Sequence, residues 1–139
     1  MRMFVIIIWC SVLCFSCSGK GEQPTELTGT KWECKIADGC INIYEFTTEN
    51  TFKFFSCEME DEYFGEYYFK DGILILDQKG SVYDENFPDS SIHRAERKLY
   101  KVEIKGDKLK HLSMSDWVNG EWIESNFEFD DNYLYQKVN

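Results

Sequence analysis

The chain has 139 residues and a mass of 16.5 kDa, which is enough for one domain and too little for a two-domain enzyme. It carries 15 Lys and Arg against 25 Asp and Glu, so its formal net charge of −10 disfavours nonspecific attraction to nucleic acid or to an anionic membrane surface. Aromatic residues make up 17% of the chain and there are only 2 Pro, a composition suited to β-strands and too apolar for intrinsic disorder.

The first residues have the layout of an export signal. Arg2 supplies an early positive charge, and an uncharged, mostly apolar stretch follows over residues 3–17. This stretch is shorter than the roughly 20 apolar residues that a membrane-spanning helix needs, and a polar run follows it directly. We therefore predict a cleaved signal peptide over 1–16, a polar linker over 17–26 and one domain over 27–139.

Cys17 lies at the edge of the apolar stretch, behind Ser16 and ahead of Ser18. This arrangement resembles a bacterial lipobox, in which signal peptidase II cuts before an acylated Cys, and it is similar to the signals of Bacteroidetes-type lipoproteins. The resemblance implies lipidation at Cys17 and anchorage in the bacterial cell envelope, at the outer membrane, through the acyl chains alone. An ordinary secretory signal or an uncleaved anchor is the alternative.

Three cysteines remain beyond Cys17, and in an oxidising envelope two of them are expected to pair. Three pairings are possible. A disulfide between Cys40 and Cys57 is favoured because these residues face each other if the segment between them forms one hairpin. Cys34 is then expected to be a buried apolar side chain, since a catalytic thiol would have only His93 and His111 as possible bases.

From residue 27 onward, apolar residues recur with the period of two that is typical of half-buried strands. Gly65 lies inside one of the strands and predicts a bulge or a sharp bend. Asp-Gly at 71–72 and Asn-Gly at 119–120 are strong hairpin signals. A long polar connection is predicted over 77–91. The predicted strands are 29–36, 40–46, 51–57, 63–70, 73–76, 97–105, 109–114, 116–118, 121–123, 127–129 and 133–138.

Strands joined by so many tight turns predict an all-β, antiparallel up-and-down meander, with about eight strands in the main sheet. A flat meander of that size would leave two open edges, whereas closure into a small barrel removes them. We therefore predict a closed barrel, with a two-layer β-sandwich as the alternative.

Several of these segments together resemble the lipocalin-like domains of small bacterial lipoproteins. They are residues 27–33, 44–46, 64–69, 71–76 and 133–137. The resemblance extends over residues 27–138 and implies a barrel that binds a small hydrophobic ligand. Lipocalins close one barrel end with a Trp beneath an Arg from a late strand, and the residues available here are Trp32 and Lys137.

Aromatic side chains on the inner strand faces are the candidates for the walls of a ligand pocket. A filled core is the alternative, because an eight-strand barrel is often just wide enough for its own side chains. The candidates are Phe52, Phe54, Tyr67, Phe69, Tyr100, Phe127 and Phe129.

A contact surface for an envelope protein is the competing functional hypothesis. Trp117 and Trp122 flank the turn at 119–120, and the acidic loop 58–62 is a second exposed candidate. With these contacts and a solid core, the barrel would act as an interaction or structural module.

Motifs typical of catalysis are absent from the predicted mature sequence: it has no phosphate-binding loop, no His-x-x-x-His, no Cys-x-x-Cys and no Gly-x-Ser-x-Gly. We therefore expect neither an enzyme nor a cofactor. His93 and His111 are expected at the surface rather than in a metal site. The acidic loop lacks EF-hand spacing and is expected to be solvated, without a metal.

Overall fold

The computed structural model describes residues 26–88 and 96–139, which form nine strands and one short helix. The elements are β1 (Lys31–Ala37), β2 (Cys40–Phe46), β3 (Thr51–Ser56), β4 (Asp61–Lys70), β5 (Ile73–Ser81), α1 (Val82–Asn86), β6 (Lys98–Lys105), β7 (Lys108–Val118), β8 (Glu121–Glu124) and β9 (Leu134–Lys137). Within this part of the chain, no helix is long and apolar enough to cross a membrane.

The strands close into an antiparallel barrel. β1 to β7 pair with their neighbours in chain order, β9 pairs with the first part of β7, and β9 also pairs with β1, which completes a ring of eight. The short β8 adds to the second part of β7, from Ser115 to Val118. The predicted all-β meander closed into a barrel is thereby confirmed.

Gly65 marks a close approach between two strands. The register between β4 and β5 shifts between Phe64 and Gly65, as the predicted bulge requires. A Cβ atom added at Gly65 would lie 2.1 Å from the carbonyl oxygen of Asp77 and 2.8 Å from the ring of Phe52. Only glycine fits this position without displacing backbone.

The predicted polar connection over 77–91 is wrong over its first part, because β5 continues to Ser81 and α1 follows. Polar residues stay in the strand because they find partners there. Asp77 accepts hydrogen bonds from Arg97 and Lys79, and the side chain of Gln78 donates to the carbonyl of Glu96. A local pattern of polar and apolar residues does not reveal partners that lie this far along the chain.

Two predictions in the second half are also wrong. Segments 109–114 and 116–118 form the single strand β7, which keeps its pairing with β6 by leaving Leu112 out of register. Residues 127–129 alternate like a strand but belong to an irregular segment, in which Phe129 stacks on the ring of His111.

One half of the barrel interior is filled. Trp32 is fully buried there, its indole N–H donates to the hydroxyl of Thr30 at 2.9 Å, and the ammonium of Lys137 lies 6.0 Å from its ring centroid. A cation therefore lies over a buried Trp. The other large buried side chains of this core include Phe46, Phe52, Tyr67, Leu74, Leu76, Val102 and Leu109.

Candidate functional site

The other half of the barrel interior holds a cavity of about 200 Å³, called the inner cavity below. Four of the seven predicted pocket residues line it: Phe54, Tyr100, Phe127 and Phe129. The remaining lining residues are Tyr44, Lys98, His111, Met114, Tyr133 and Tyr135. The walls are therefore mainly aromatic rings contributed by β2, β3, β6, β7, β9 and the segment before β9.

The other three predicted pocket residues lie elsewhere. Phe52 and Tyr67 belong to the filled core, where the Tyr67 hydroxyl donates to the carbonyl of Thr48 at 2.8 Å. Phe69 is half-buried against that core. All three point inward like the cavity residues, so strand alternation alone does not separate the filled half from the hollow half.

His111 is buried, which corrects the expectation of a surface histidine. Its residue is only 3% exposed, and its Nε2 atom lies 3.0 Å from the hydroxyl oxygen of Tyr44. The ring of Phe129 stacks on the imidazole with centroids 4.8 Å apart. Burial lowers the pKa of His111 to about 3, so the imidazole is neutral at pH 7. His111 comes two residues after the buried Leu109 on the same strand, so both side chains point to the inner face of the barrel. This spacing is the signal in the sequence that could have predicted the burial of His111.

Two buried polar atoms at the inner cavity lack a hydrogen-bond partner among the residues that the structure describes. They are Nδ1 of His111 and the hydroxyl oxygen of Tyr135, although the side chain of Tyr133 interacts with the Tyr135 hydroxyl and helps to raise its pKa. A buried polar group without a partner costs about 1–3 kcal/mol. A neutral imidazole has one donor and one acceptor nitrogen, and the bond to Tyr44 uses one of them. The second nitrogen is therefore without a partner, and because it has almost no accessible surface it is enclosed by its neighbours rather than presented to the cavity.

The disulfide and its neighbours hold the Tyr133 hydroxyl at the inner cavity. Cys40 and Cys57, the favoured pair, are joined with their Cα atoms 5.3 Å apart. The backbone N–H of Cys57 donates to the side-chain oxygen of Asn42, whose amide in turn donates to the Tyr133 hydroxyl at 2.7 Å. Cys34 is free and buried, and burial raises the pKa of its thiol.

Lys98 is the one cationic side chain among the described residues lining the inner cavity. Its ammonium lies 2.6 Å from a carboxylate oxygen of Asp116 and 3.0 Å from one of Glu96. Burial lowers the pKa of Lys98, but the hydrogen bonds that its ammonium donates to these carboxylates outweigh burial and raise the pKa above its ordinary value. The lysine is therefore protonated, and its positive charge is balanced by the two carboxylates.

An outer groove of about 600 Å³ adjoins the inner cavity and shares His111, Phe127 and Phe129 with it. Along this edge of β7, β9 pairs with residues 108–110 and β8 with residues 115–118. The barrel wall between these pairings consists of the segment that carries Phe127 and Phe129. The groove and the cavity thus meet at the side chains of His111, Phe127 and Phe129.

The candidate interaction residues lie outside the inner cavity. The rings of Trp117 and Trp122 meet edge to face at 5.0 Å, and the guanidinium carbon of Arg97 lies 5.1 Å from each ring centroid. Asp77 holds that guanidinium through two hydrogen bonds. The acidic loop 58–62 is part of the β3–β4 hairpin instead. The described part of the chain contains no group of three or more His, Cys, Asp or Glu that could hold a metal.

The predicted signal peptide, the predicted lipidation site Cys17 and His93 all lie outside the described residues. Comparison with family models, with curated proteins and with solved structures finds no match to this chain. The proposed function therefore depends on the sequence pattern and on the geometry of the inner cavity.

Proposed function

We propose that the protein is a cell-envelope lipoprotein whose barrel binds a small hydrophobic ligand. The observation that carries this proposal is the inner cavity of about 200 Å³, which is lined mainly by aromatic side chains from five strands of the barrel and from the segment before β9. Concave, mostly apolar sites with a few polar groups are typical of small-molecule binding. The cavity has this composition, since most of its lining is aromatic and the charge of Lys98 is balanced by two carboxylates.

The lipid anchor is supported by the lipobox-like residues around Cys17 and by the charge of the chain. An acidic protein gains nothing from the negative surface of a bilayer, so attachment would depend on acyl chains. Cys17→Ala is expected to move the protein from the membrane fraction to the soluble fraction or to stall its processing. Cys10→Ala, within the predicted signal, is the control and should leave the protein in the membrane fraction. Unchanged membrane retention of Cys17→Ala would refute acylation there.

Ligand binding is tested by native mass spectrometry of the purified full-length chain. We expect a mass increment from a co-purified small molecule, which disappears after washing with organic solvent and refolding. A chain that shows no bound mass, and no thermal shift with any compound of a panel of small apolar and aromatic molecules, would overturn this part of the proposal.

A protein-interaction role is the second candidate, and it is favoured by exposed apolar side chains around the β7–β8 hairpin. Trp117, Ile123 and Phe127 are 42%, 51% and 58% exposed. A photo-crosslinking residue placed at position 123 should then capture one envelope protein in cells, whereas the same residue at the exposed Lys53 on β3 should not. Equal labelling from both positions would argue against a defined contact surface.

A further inference from the structure

We propose that the inner cavity and the outer groove form one site for an elongated amphipathic amine, whose apolar end lies in the cavity and whose ammonium group lies in the groove. This inference rests on the proposed function, because it requires that the barrel binds a ligand at all. Three properties of the described residues carry it: the shared wall of cavity and groove, the different linings of the two spaces, and the charges around them.

The shared wall consists of the three ring side chains that line both spaces, His111, Phe127 and Phe129. Phe127 is exposed although it also lines the cavity, so this part of the wall has solvent on its other side. A ligand that extends past Phe127 therefore occupies both spaces and does not need to enter the filled core around Trp32.

The segment 126–129, which carries two of these rings, is held by few backbone hydrogen bonds. It follows Ser125, whose backbone N–H donates to the carbonyl of Met114 at 2.8 Å. Within the part of the chain that the structure describes, residues 126–129 form no backbone-to-backbone hydrogen bond, and the N–H of Phe127 donates only to the hydroxyl of Ser125. Segments held in this way open at low free energy, so Phe127 can move aside to admit a ligand.

The two spaces differ in polarity. The cavity is lined mainly by aromatic rings, among them Tyr44, Phe54 and Tyr100. An ammonium group placed among these rings would lose its hydration at a high cost in free energy, whereas in the open groove it keeps water around it. The apolar end of the ligand therefore lies inside and the polar end outside. The polar residues that line the groove are Lys110, Ser113, Glu124, Ser125, Asn126 and Glu128.

The lysines that line the two spaces are both paired with acids already. The ammonium of Lys98 contacts Asp116 and Glu96, and that of Lys110 lies 2.5 Å from a carboxylate oxygen of Asp131. A bound carboxylate requires a cation or several free donors. An anionic ligand would therefore have to displace one of these acids, whereas a cationic ligand leaves them undisturbed.

Two carboxylates of the groove favour a cation. Glu128 has no ion-pair partner among the described residues, and the carboxylate of Glu124 lies 3.8 Å from the ammonium of Lys101 with its side chain 64% exposed. The exposed ring of Phe127 lines the same groove, and the face of an aromatic ring attracts a cation. Because water and salt screen these exposed charges, they set the preference for a cation, and the apolar end supplies most of the affinity.

Isothermal titration calorimetry of the purified full-length chain at pH 7 tests the proposal with phenylbutylamine, phenylbutanol and phenylbutyrate. Each probe has its phenyl ring and its polar group at opposite ends of a butyl chain, so the three differ mainly in charge. We expect the amine to bind about tenfold more tightly than the carboxylate, with the alcohol between them.

Competition with toluene tests whether the apolar end lies in the cavity. Toluene is small enough for the cavity alone, because an apolar cavity of about 150 Å³ holds benzene. Saturating toluene should therefore weaken the binding of phenylbutylamine, since both molecules need the same space.

Glu124→Gln and Glu128→Gln each remove one negative charge and nearly keep the shape of the groove. Each should reduce the preference for the amine over the carboxylate by about two- to threefold, and both should bind phenylbutanol like the original chain, which shows that the site is intact. Glu45→Gln removes an exposed carboxylate on β2, outside both spaces, and is the control that should keep the original preference.

The outcomes separate this inference from the proposed function. Equal affinities for amine and carboxylate, or a preference that survives both groove substitutions, would overturn the inference and leave ligand binding standing. Binding of the amine that toluene does not weaken would place the amine outside the cavity and overturn the inference too. Binding of toluene without any longer probe would show that no ligand extends from the cavity into the groove. If none of the four molecules binds, ligand binding by the inner cavity is wrong as well.

Discussion

The Nε2 atom of His111 lies 3.0 Å from the hydroxyl oxygen of Tyr44, and both side chains are buried inside the barrel. Burial lowers the pKa of His111 to about 3, whereas an unfolded chain has a histidine pKa of about 6.5. Between these values the unfolded state binds more protons than the folded state. The stability that the neutral histidine contributes is therefore fully present above about pH 6.5 and is lost as the pH falls toward 3.

His111→Phe removes this proton uptake. The free energy of unfolding of the original chain should fall by up to about 1.4 kcal/mol per pH unit more steeply than that of the variant between pH 6 and pH 4. Urea unfolding at pH 7.5, 6, 5 and 4 measures both curves. The carboxylates titrate in both proteins, so their contribution cancels in the difference. Two parallel curves would show that His111 is not buried in its neutral form.

Gly65 tests the close approach of β4 and β5. Gly65→Ala puts a Cβ atom against the carbonyl oxygen of Asp77, and we expect a loss of about 3 kcal/mol in the free energy of unfolding. Gly80→Ala is the matched control, since its Cβ would meet only the end of the Phe64 ring at 3.2 Å. Its loss should stay below about 1 kcal/mol. Equal losses for the two variants in urea unfolding would contradict the close approach of the two strands at Gly65.

The disulfide between Cys40 and Cys57 closes a short loop, and a loop of about 15 residues corresponds to roughly 3 kcal/mol of stabilisation. The double variant Cys40→Ser, Cys57→Ser should lose about 2–4 kcal/mol, and reductant should then have no further effect on it. The original chain should lose a similar amount on reduction. Peptide mass mapping under nonreducing conditions should find Cys34 as a free thiol. A disulfide that contains Cys34 would contradict the structure.

Asp77 holds the guanidinium of Arg97 against the rings of Trp117 and Trp122. Burial raises the pKa of Asp77, but hydrogen bonds from Arg97 and Lys79 outweigh it and leave the pKa below its ordinary value. The stability from this pair is therefore present above about pH 4 and lost as the pH falls further. Asp77→Asn should lower the free energy of unfolding by about 2 kcal/mol at pH 7, and by less at pH 3.

The control for Asp77 is Glu66→Gln, which removes an exposed carboxylate 3.5 Å from the Lys79 ammonium. Exposed ion pairs contribute little, so this variant should change the free energy of unfolding by no more than about 0.5 kcal/mol. Tryptophan fluorescence provides a second measurement, because only Asp77→Asn releases Arg97 from the rings of Trp117 and Trp122. An unchanged emission spectrum would argue against that arrangement.

Local pattern predicted the barrel wherever apolar and polar residues alternate between turn residues. The hairpins at 71–72 and 119–120 follow from the backbone freedom of glycine, and the close approach at Gly65 follows from its missing Cβ atom; both are readable in the sequence. The extension of β5 was not predictable in this way, because Asp77 stays in the strand through Arg97, which lies 20 residues further along the chain.

The cavity was predictable only in part. Inward-facing aromatic residues are equally spaced along β3, yet Phe52 is buried in the filled core and Phe54 is only partly buried and lines the cavity. Phe127 and Phe129 reach the cavity from an irregular segment that has the spacing of a strand. His111 was expected at the surface because histidine is polar, although its side chain points to the same side of β7 as that of the buried Leu109.

A crystal of the full-length chain soaked in para-bromophenol tests the central claim most directly, since bromine is located by its anomalous scattering. We expect one bromine site inside the barrel, in the inner cavity between Phe54 and Phe129. An interior closed by its own side chains, with bromine only on the outer surface, would contradict a barrel that binds a small aromatic ligand.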